Sequence, residues 1–146
     1  MTRVALPNVD EKTIFTACSV APGEPMPTCS QPLTLAGAFA GFDRDAVAGT
    51  LDTGRYRMRY RVWGKGPALV FIHGLADCSA SFVLPMSRLA EKFCCISYDL
   101  PNGAGDGAAL ANYRPDLLVD DLVALCDHLH LETAVPIGVS FGSTIA

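Results

Sequence analysis

Gly138-Val139-Ser140-Phe141-Gly142 places a serine between two glycines directly behind the apolar run Thr133 to Val139. A serine hydroxyl is a weak nucleophile until it is raised on a sharp strand-to-helix turn beside a base, and glycines two positions before and after keep neighbouring backbone out of such a turn. His73-Gly74-Leu75 follows a second apolar run, Ala68 to Ile72. From there the backbone N–H of Leu75 can face the space above Ser140 and, with the N–H of Phe141, receive the negative oxygen of a tetrahedral intermediate. The chemistry implied is acyl transfer. Ser140 is its nucleophile, and Leu75 and Phe141 are the oxyanion donors. Gly74 leaves the pocket open, Gly138 and Gly142 admit the turn, and His73 is expected to hold its loop by hydrogen bonding.

A base for the serine is harder to find. His128 and His130 fall at the end of a predicted helix that opens at Pro115 and runs antiparallel to the strands. At 1.5 Å per residue that helix descends about 20 Å, which carries both histidines to the opposite end of the sheet. His73 has no second His or Cys close in sequence, so it is expected neither to bind a metal nor to act as the base.

The elements that must position these residues alternate in type. Tyr56, Met58, Tyr60 and Val62 alternate with Arg55, Arg57, Arg59 and Arg61, the two-residue period of a half-buried strand. The arginine face reads as a solvated face near a sheet edge, and Leu51 to Asp52 as the preceding strand of a hairpin. Ala68 to Ile72 is a continuous apolar run of the kind found in a parallel strand buried on both faces, and Phe93 to Tyr98 and Thr133 to Val139 read as the next two core strands. Between them, Ser81 is expected to cap a helix carrying Phe82, Met86, Leu89 and Phe93. Leu118, Leu122, Leu125 and Leu129 recur at helical spacing after Pro115. Strand, helix, strand, helix, strand predicts an α/β unit with right-handed crossovers. Pro136 inside the last strand removes one ladder hydrogen bond and predicts a local bulge.

From about Thr50 to Ala146 the sequence resembles the α/β-hydrolase superfamily. The resemblance rests on Phe71-Ile72-His73-Gly74, on Asp99-Leu100-Pro101-Asn102-Gly103-Ala104-Gly105-Asp106 as a D-x-x-G-x-G turn, and on the elbow around Ser140. It implies a three-layer α/β-hydrolase fold with sheet order 1-2-4-3-5, and a serine hydrolase acting on a small-molecule ester or related acyl bond. Serine at the elbow separates the chain from members that use aspartate there, the haloalkane dehalogenases and epoxide hydrolases. In this superfamily the catalytic acid and histidine follow the nucleophile, whereas here only Phe141 to Ala146 follow it. The sequence therefore reads as a fold truncated after the nucleophile elbow. It is expected to be inactive alone and to self-associate through the edge left uncovered. The alternative is a hydrolase-like module that binds without turning over.

Composition bounds the remaining possibilities. Of 146 residues half are hydrophobic, and a net charge of −4 argues against a nucleic-acid partner. No stretch is long and apolar enough for a membrane span. The cysteines, Cys18, Cys29, Cys78, Cys94, Cys95 and Cys126, lack paired CxxC spacing, so no metal site is expected. Adjacent Cys94 and Cys95 would point to opposite faces of a strand and read as reduced, buried apolar residues in a cytoplasmic protein. Residues 1–48 hold Pro7, Pro22, Pro25, Pro27 and Pro32 and are expected to form a poorly ordered arm with one short helix near Leu33 to Phe42, ahead of the domain at 49–146. Gly103-Ala104-Gly105-Asp106-Gly107-Ala108 satisfies G-x-G-x-x-A, but no helix opens from it at once and no later acidic residue on a second strand accompanies it. No cofactor is expected.

Overall fold

The structure, a computed structural model, describes residues 34–101 and 113–146. Residues 1–33 of the expected arm lie outside it, as do Cys18, Cys29 and the glycine motifs between Asn102 and Ala108. Five strands form one sheet of order β1-β2-β4-β3-β5, as the resemblance implies. They are β1 (Val47–Asp52), β2 (Arg57–Trp63), β3 (Ala68–Ile72), β4 (Cys94–Tyr98) and β5 (Ala134–Gly138). β1 pairs with β2 and β2 with β4 antiparallel, while β3 runs parallel to both β4 and β5.

Every residue of β3 and β4 is buried, because helices cover both faces of the sheet. On one face α3 (Pro115–His128) lays Leu118 and Leu125 against Met58, Tyr60, Val62, Val70, Ile72, Ile96 and Tyr98. On the other, α1 (Leu35–Asp45) and α2 (Val83–Leu89) bring Ala38, Phe42, Val83 and Met86 onto Leu69, Phe71 and Cys95. Each fully buried Leu or Phe contributes roughly 1.5–3 kcal/mol of transfer free energy, so two-sided burial of β3 and β4 dominates the fold.

Several local expectations are corrected. The short helix expected near Leu33 to Phe42 runs over Leu35–Asp45, with Thr34 as its cap accepting a bond from Gly37 N–H, and it packs on the sheet. β1 begins at Val47, earlier than Leu51, and forms the edge beside β2 as the expected hairpin and strand order imply. Ser81 caps nothing: its hydroxyl donates to Asp77, and α2 starts from a short 3-10 turn, Ser79–Phe82, with no side-chain cap. Pro136 causes no bulge, since the β3–β5 register runs unbroken from Ala68↔Ala134 to Ile72↔Gly138. Val139 N–H donates inward to Ile72 O at 3.1 Å. Strand alternation then turns the nitrogen of Pro136 outward, where no described strand needs a donor. Cys94 is disulfide-bonded, against the expected reduced thiol. Its neighbour Cys95 keeps a free thiol, pushed up to about 12 by burial.

The arginine face is solvated as expected, with Arg57 and Arg59 exposed, and its arginines also find partners. Arg61 lies 5.1 Å over the Phe42 ring, Arg59 pairs with Asp99, and Arg55 pairs with buried Asp121 on α3. Burial raises the Asp121 carboxyl above its ordinary range, and Arg55 opposes that shift. Arg55→Ala is therefore expected to cost about 2 kcal/mol or more at neutral pH, since it strands a buried carboxylate. The loss should shrink as pH falls and Asp121 takes up a proton; urea melts of both proteins between neutral and mildly acid pH measure it.

Candidate active site

The carboxyl ends of β3, β4 and β5 lie level, because Tyr98, Ile72 and Gly138 are register partners. The turns leaving these ends therefore meet. After β5 the chain enters a short 3-10 turn, Ser140–Thr144, and Ser140 adopts φ +53°, a left-handed conformation that non-glycine residues seldom hold. Its side chain is exposed while Gly142, two residues on, is buried. The two flanking glycines are sterically required. A Cβ added at Gly142 would stand 2.2 Å from Ile72 O, and one at Gly138 would stand 2.2 Å from Gly142 O. Only hydrogen fits at either place. Gly142 N–H closes the turn on Val139 O at 2.9 Å.

The loop after β3 packs against this elbow. A Cβ placed at Gly74 would lie 3.4 Å from Ser140 Cβ and 3.8 Å from its Oγ. The structure thus brings together His73, Gly74, Gly138, Ser140 and Gly142, with Leu75 and Phe141 as the residues immediately following Gly74 and Ser140. Phe141 is fixed by stacking on Tyr113, whose ring centroid is 5.3 Å away at an interplanar angle of 27°.

His73 is fully buried, and both of its ring nitrogens are engaged. Leu100 N–H donates to Nε2 at 2.9 Å, so Nδ1 carries the proton and donates it to Gly74 O at 2.7 Å. With no lone pair free, this imidazole holds the loop and cannot take a proton from Ser140. His128 contacts Tyr60 on β2, with Nε2 3.0 Å from the phenol oxygen. β2 is three strands from β5, about 14 Å at ordinary strand spacing. His130 is exposed at the end of α3. None of the three histidines serves Ser140. The geometric reason for His128 is lateral displacement across the sheet and not the expected descent of its helix, since Tyr60, which it contacts, is the register partner of Tyr98 at the site's own end of the sheet.

The loop beyond Leu75 is shaped by carboxylates. Asp77 accepts from the Ser81 hydroxyl and from Cys78 N–H, which hold its carboxyl below the ordinary range. Asp99 accepts from Ser79 N–H at 2.8 Å. The Asp99 contact escapes a reading by spacing, because it joins two residues 20 apart that only the folded crossover brings together. Among the described residues no three His, Cys, Asp or Glu side chains gather as a metal site, and no helix is long and apolar enough to cross a membrane.

Residues 67–146, more than half of the chain, match the family described as "alpha/beta hydrolase fold". A 2-(acetamidomethylene)succinate hydrolase of Mesorhizobium japonicum is 29% identical over 66% of this chain and 35% of its own length. A pimeloyl-[acyl-carrier protein] methyl ester esterase of Chromobacterium violaceum is 36% identical over 57% of this chain and 31% of its own. Among solved structures, that of E-2-(acetamidomethylene)succinate hydrolase superposes with a TM-score of 0.62 at 28% identity, covering 68% of this chain and 37% of that one. The chain spans 27% to 35% of the length of such curated relatives.

The elbow's packing has a direct consequence for substitution. Gly142→Ala is expected to cost about 3 kcal/mol or more, since the methyl meets backbone carbonyls that cannot yield. Gly74→Ala, whose methyl meets only ordinary contacts, should cost less than 1 kcal/mol. Chemical denaturation of the two variants side by side distinguishes these outcomes.

Proposed function

The chain belongs to the α/β-hydrolase fold family, and we propose that the enzyme it contributes to is a serine hydrolase of small-molecule esters or related acyl bonds. Ser140 Oγ attacks the acyl carbon as its proton passes to a base. The N–H groups of Leu75 and Phe141 receive the oxyanion, the alcohol departs, and water releases the acyl group from the serine. The observation that carries this reading is the left-handed backbone of Ser140, beside a Gly74 turn at which an added Cβ would lie 3.4 Å from Ser140 Cβ. Strain of that kind at an exposed serine on a strand-to-helix turn supports nucleophilic presentation. The hydrolase and ester-esterase relatives support the same class of chemistry.

Because no histidine of the chain reaches Ser140, the base and its acid come from elsewhere in the enzyme, and these 146 residues alone turn over at close to background. Loss of a triad member leaves at most about 10³ to 10⁴-fold enhancement over water. A non-catalytic binding module is the second reading, favoured by the same displacement of His128. The isolated chain also associates through the outer edge of β5, where Val135 and Val139 are more than half exposed. A cytoplasmic setting belongs to this reading. The free thiols of Cys78, Cys95 and Cys126 support it, and the disulfide at Cys94 counts against it.

With the complete protein and a nitrophenyl ester, Ser140→Ala should abolish turnover and fluorophosphonate labelling while leaving the melting temperature unchanged. Wild-type turnover in that variant would remove Ser140 from the mechanism, and a complete protein that binds ester without labelling would favour the binding module. On a sizing column the isolated chain should elute as oligomer, and Val135→Lys combined with Val139→Lys should shift it toward monomer.

A further inference from the structure

Resting on the reading of Ser140 as nucleophile, we propose that Asp99 is a positioning residue for the oxyanion loop, acting through the backbone of Ser79. Asp99 follows β4 at the end of the sheet where the site lies, with its side chain 16% exposed. Four contacts converge on it from three other segments. Its Oδ1 accepts from Ser79 N–H at 2.8 Å and its Oδ2 from Arg59 Nε at 3.1 Å. Its own N–H donates to Arg59 O at 2.9 Å, and its carbonyl accepts from the Tyr56 hydroxyl at 3.2 Å. Two of these contacts tie Asp99 to β2, so it is a fixed point, and the Ser79 contact reaches outward from that point to the loop.

The next residue completes the arrangement. Leu100 N–H holds the His73 ring at the start of the same loop. The pair Asp99-Leu100 thereby grips the segment from His73 to Ser79 at both ends, with Leu75 between the two anchors. Within that span Ala76 adopts φ +57°, a conformation an alanine keeps only when its surroundings impose it. An oxyanion donor works by standing still while charge develops, so the loop's fixation is where Asp99 enters the chemistry without touching substrate. The Arg59 contact is the weaker of the two side-chain contacts, because the Arg59 side chain is 72% exposed and water screens it. The role therefore falls on the acceptor oxygen facing Ser79, and the negative charge is secondary.

The test separates the acceptor from the charge. Asp99→Asn keeps an oxygen in place, Asp99→Ala removes it, and Arg59→Ala removes only the ion pair. Ser79→Pro deletes the N–H from the other side. Ser79 opens a 3-10 turn, and Cys78 before it is already extended (φ −147°, ψ 167°), which is the geometry a following proline needs. Amide exchange read by mass spectrometry on the chain should accelerate roughly tenfold or more across residues 74–79 in Asp99→Ala and in Ser79→Pro, the factor expected for loss of one hydrogen bond that fixes the loop, with β3 and β4 unchanged. Asp99→Asn and Arg59→Ala should stay within about threefold of wild type. Equal protection of the loop in all variants would overturn the proposal, and so would an Asp99→Asn as disruptive as Asp99→Ala. In the complete protein Asp99→Ala and Ser79→Pro should lower kcat with KM little changed, while Asp99→Asn and Arg59→Ala should keep kcat near wild type. Fluorophosphonate labelling of wild-type Ser140 reports separately on the nucleophile reading, because the exchange result stands whether or not labelling occurs.

Discussion

The contact on which the rest depends is backbone against backbone: the elbow after β5 lies so close to the end of β3 that only hydrogen fits at Gly142, facing the carbonyl oxygen of Ile72. Packing of that kind cannot be approximate. It requires β3 and β5 to be neighbours in parallel register, and Val139 N–H donating to Ile72 O extends the ladder into the turn. It requires β3 to be rigid, which burial beneath helices on both faces provides. Given those conditions the chain leaving β5 must turn sharply, and the residue at the turn, Ser140, is driven into the left-handed region with its side chain outward.

The loop after β3 is organised by the same proximity. His73 is buried in one tautomer between Leu100 N–H and Gly74 O, and the glycine it grips is the one at which an added Cβ would meet Ser140. A titratable side chain beside a proposed nucleophile is thereby committed to structure. Charge is treated the same way on the arginine strand: Arg55, Arg59 and Arg61 each have a partner, and the Arg55 pair locks the β1–β2 turn to α3. Polar groups that alternation alone would place in solvent serve here to fix one element against another.

How much of this was legible in the sequence follows from the range of the interactions. The apolar runs of β3 and β4, the leucine spacing of α3 and the G-x-S-x-G pattern carry local signals, and they sufficed for these elements and for the place of Ser140, while the sheet order came from the resemblance to a known family. Contacts between distant segments left no such signal. Nothing in the spacing of Asp99 and Ser79 announces a bond across 20 residues. The disulfide at Cys94 was equally invisible, since no paired spacing marks it. Pro136 misled for a related reason: whether a proline harms a strand depends on which way its nitrogen faces, and that parity is set by the neighbouring strand. Ser81 had the right residue type for a helix cap, but Asp77, four residues earlier, captured its hydroxyl.

The central claim is that the elbow and the β3 loop form one preorganised site around Ser140. A crystal structure of the complete protein after phosphonylation tests it most directly, because the adduct's phosphoryl oxygen marks where an oxyanion would sit. The account predicts the adduct on Ser140 Oγ, with that oxygen about 2.7–3.1 Å from the backbone nitrogens of both Leu75 and Phe141. An adduct on another residue, or a phosphoryl oxygen turned to solvent away from both amides, would contradict it.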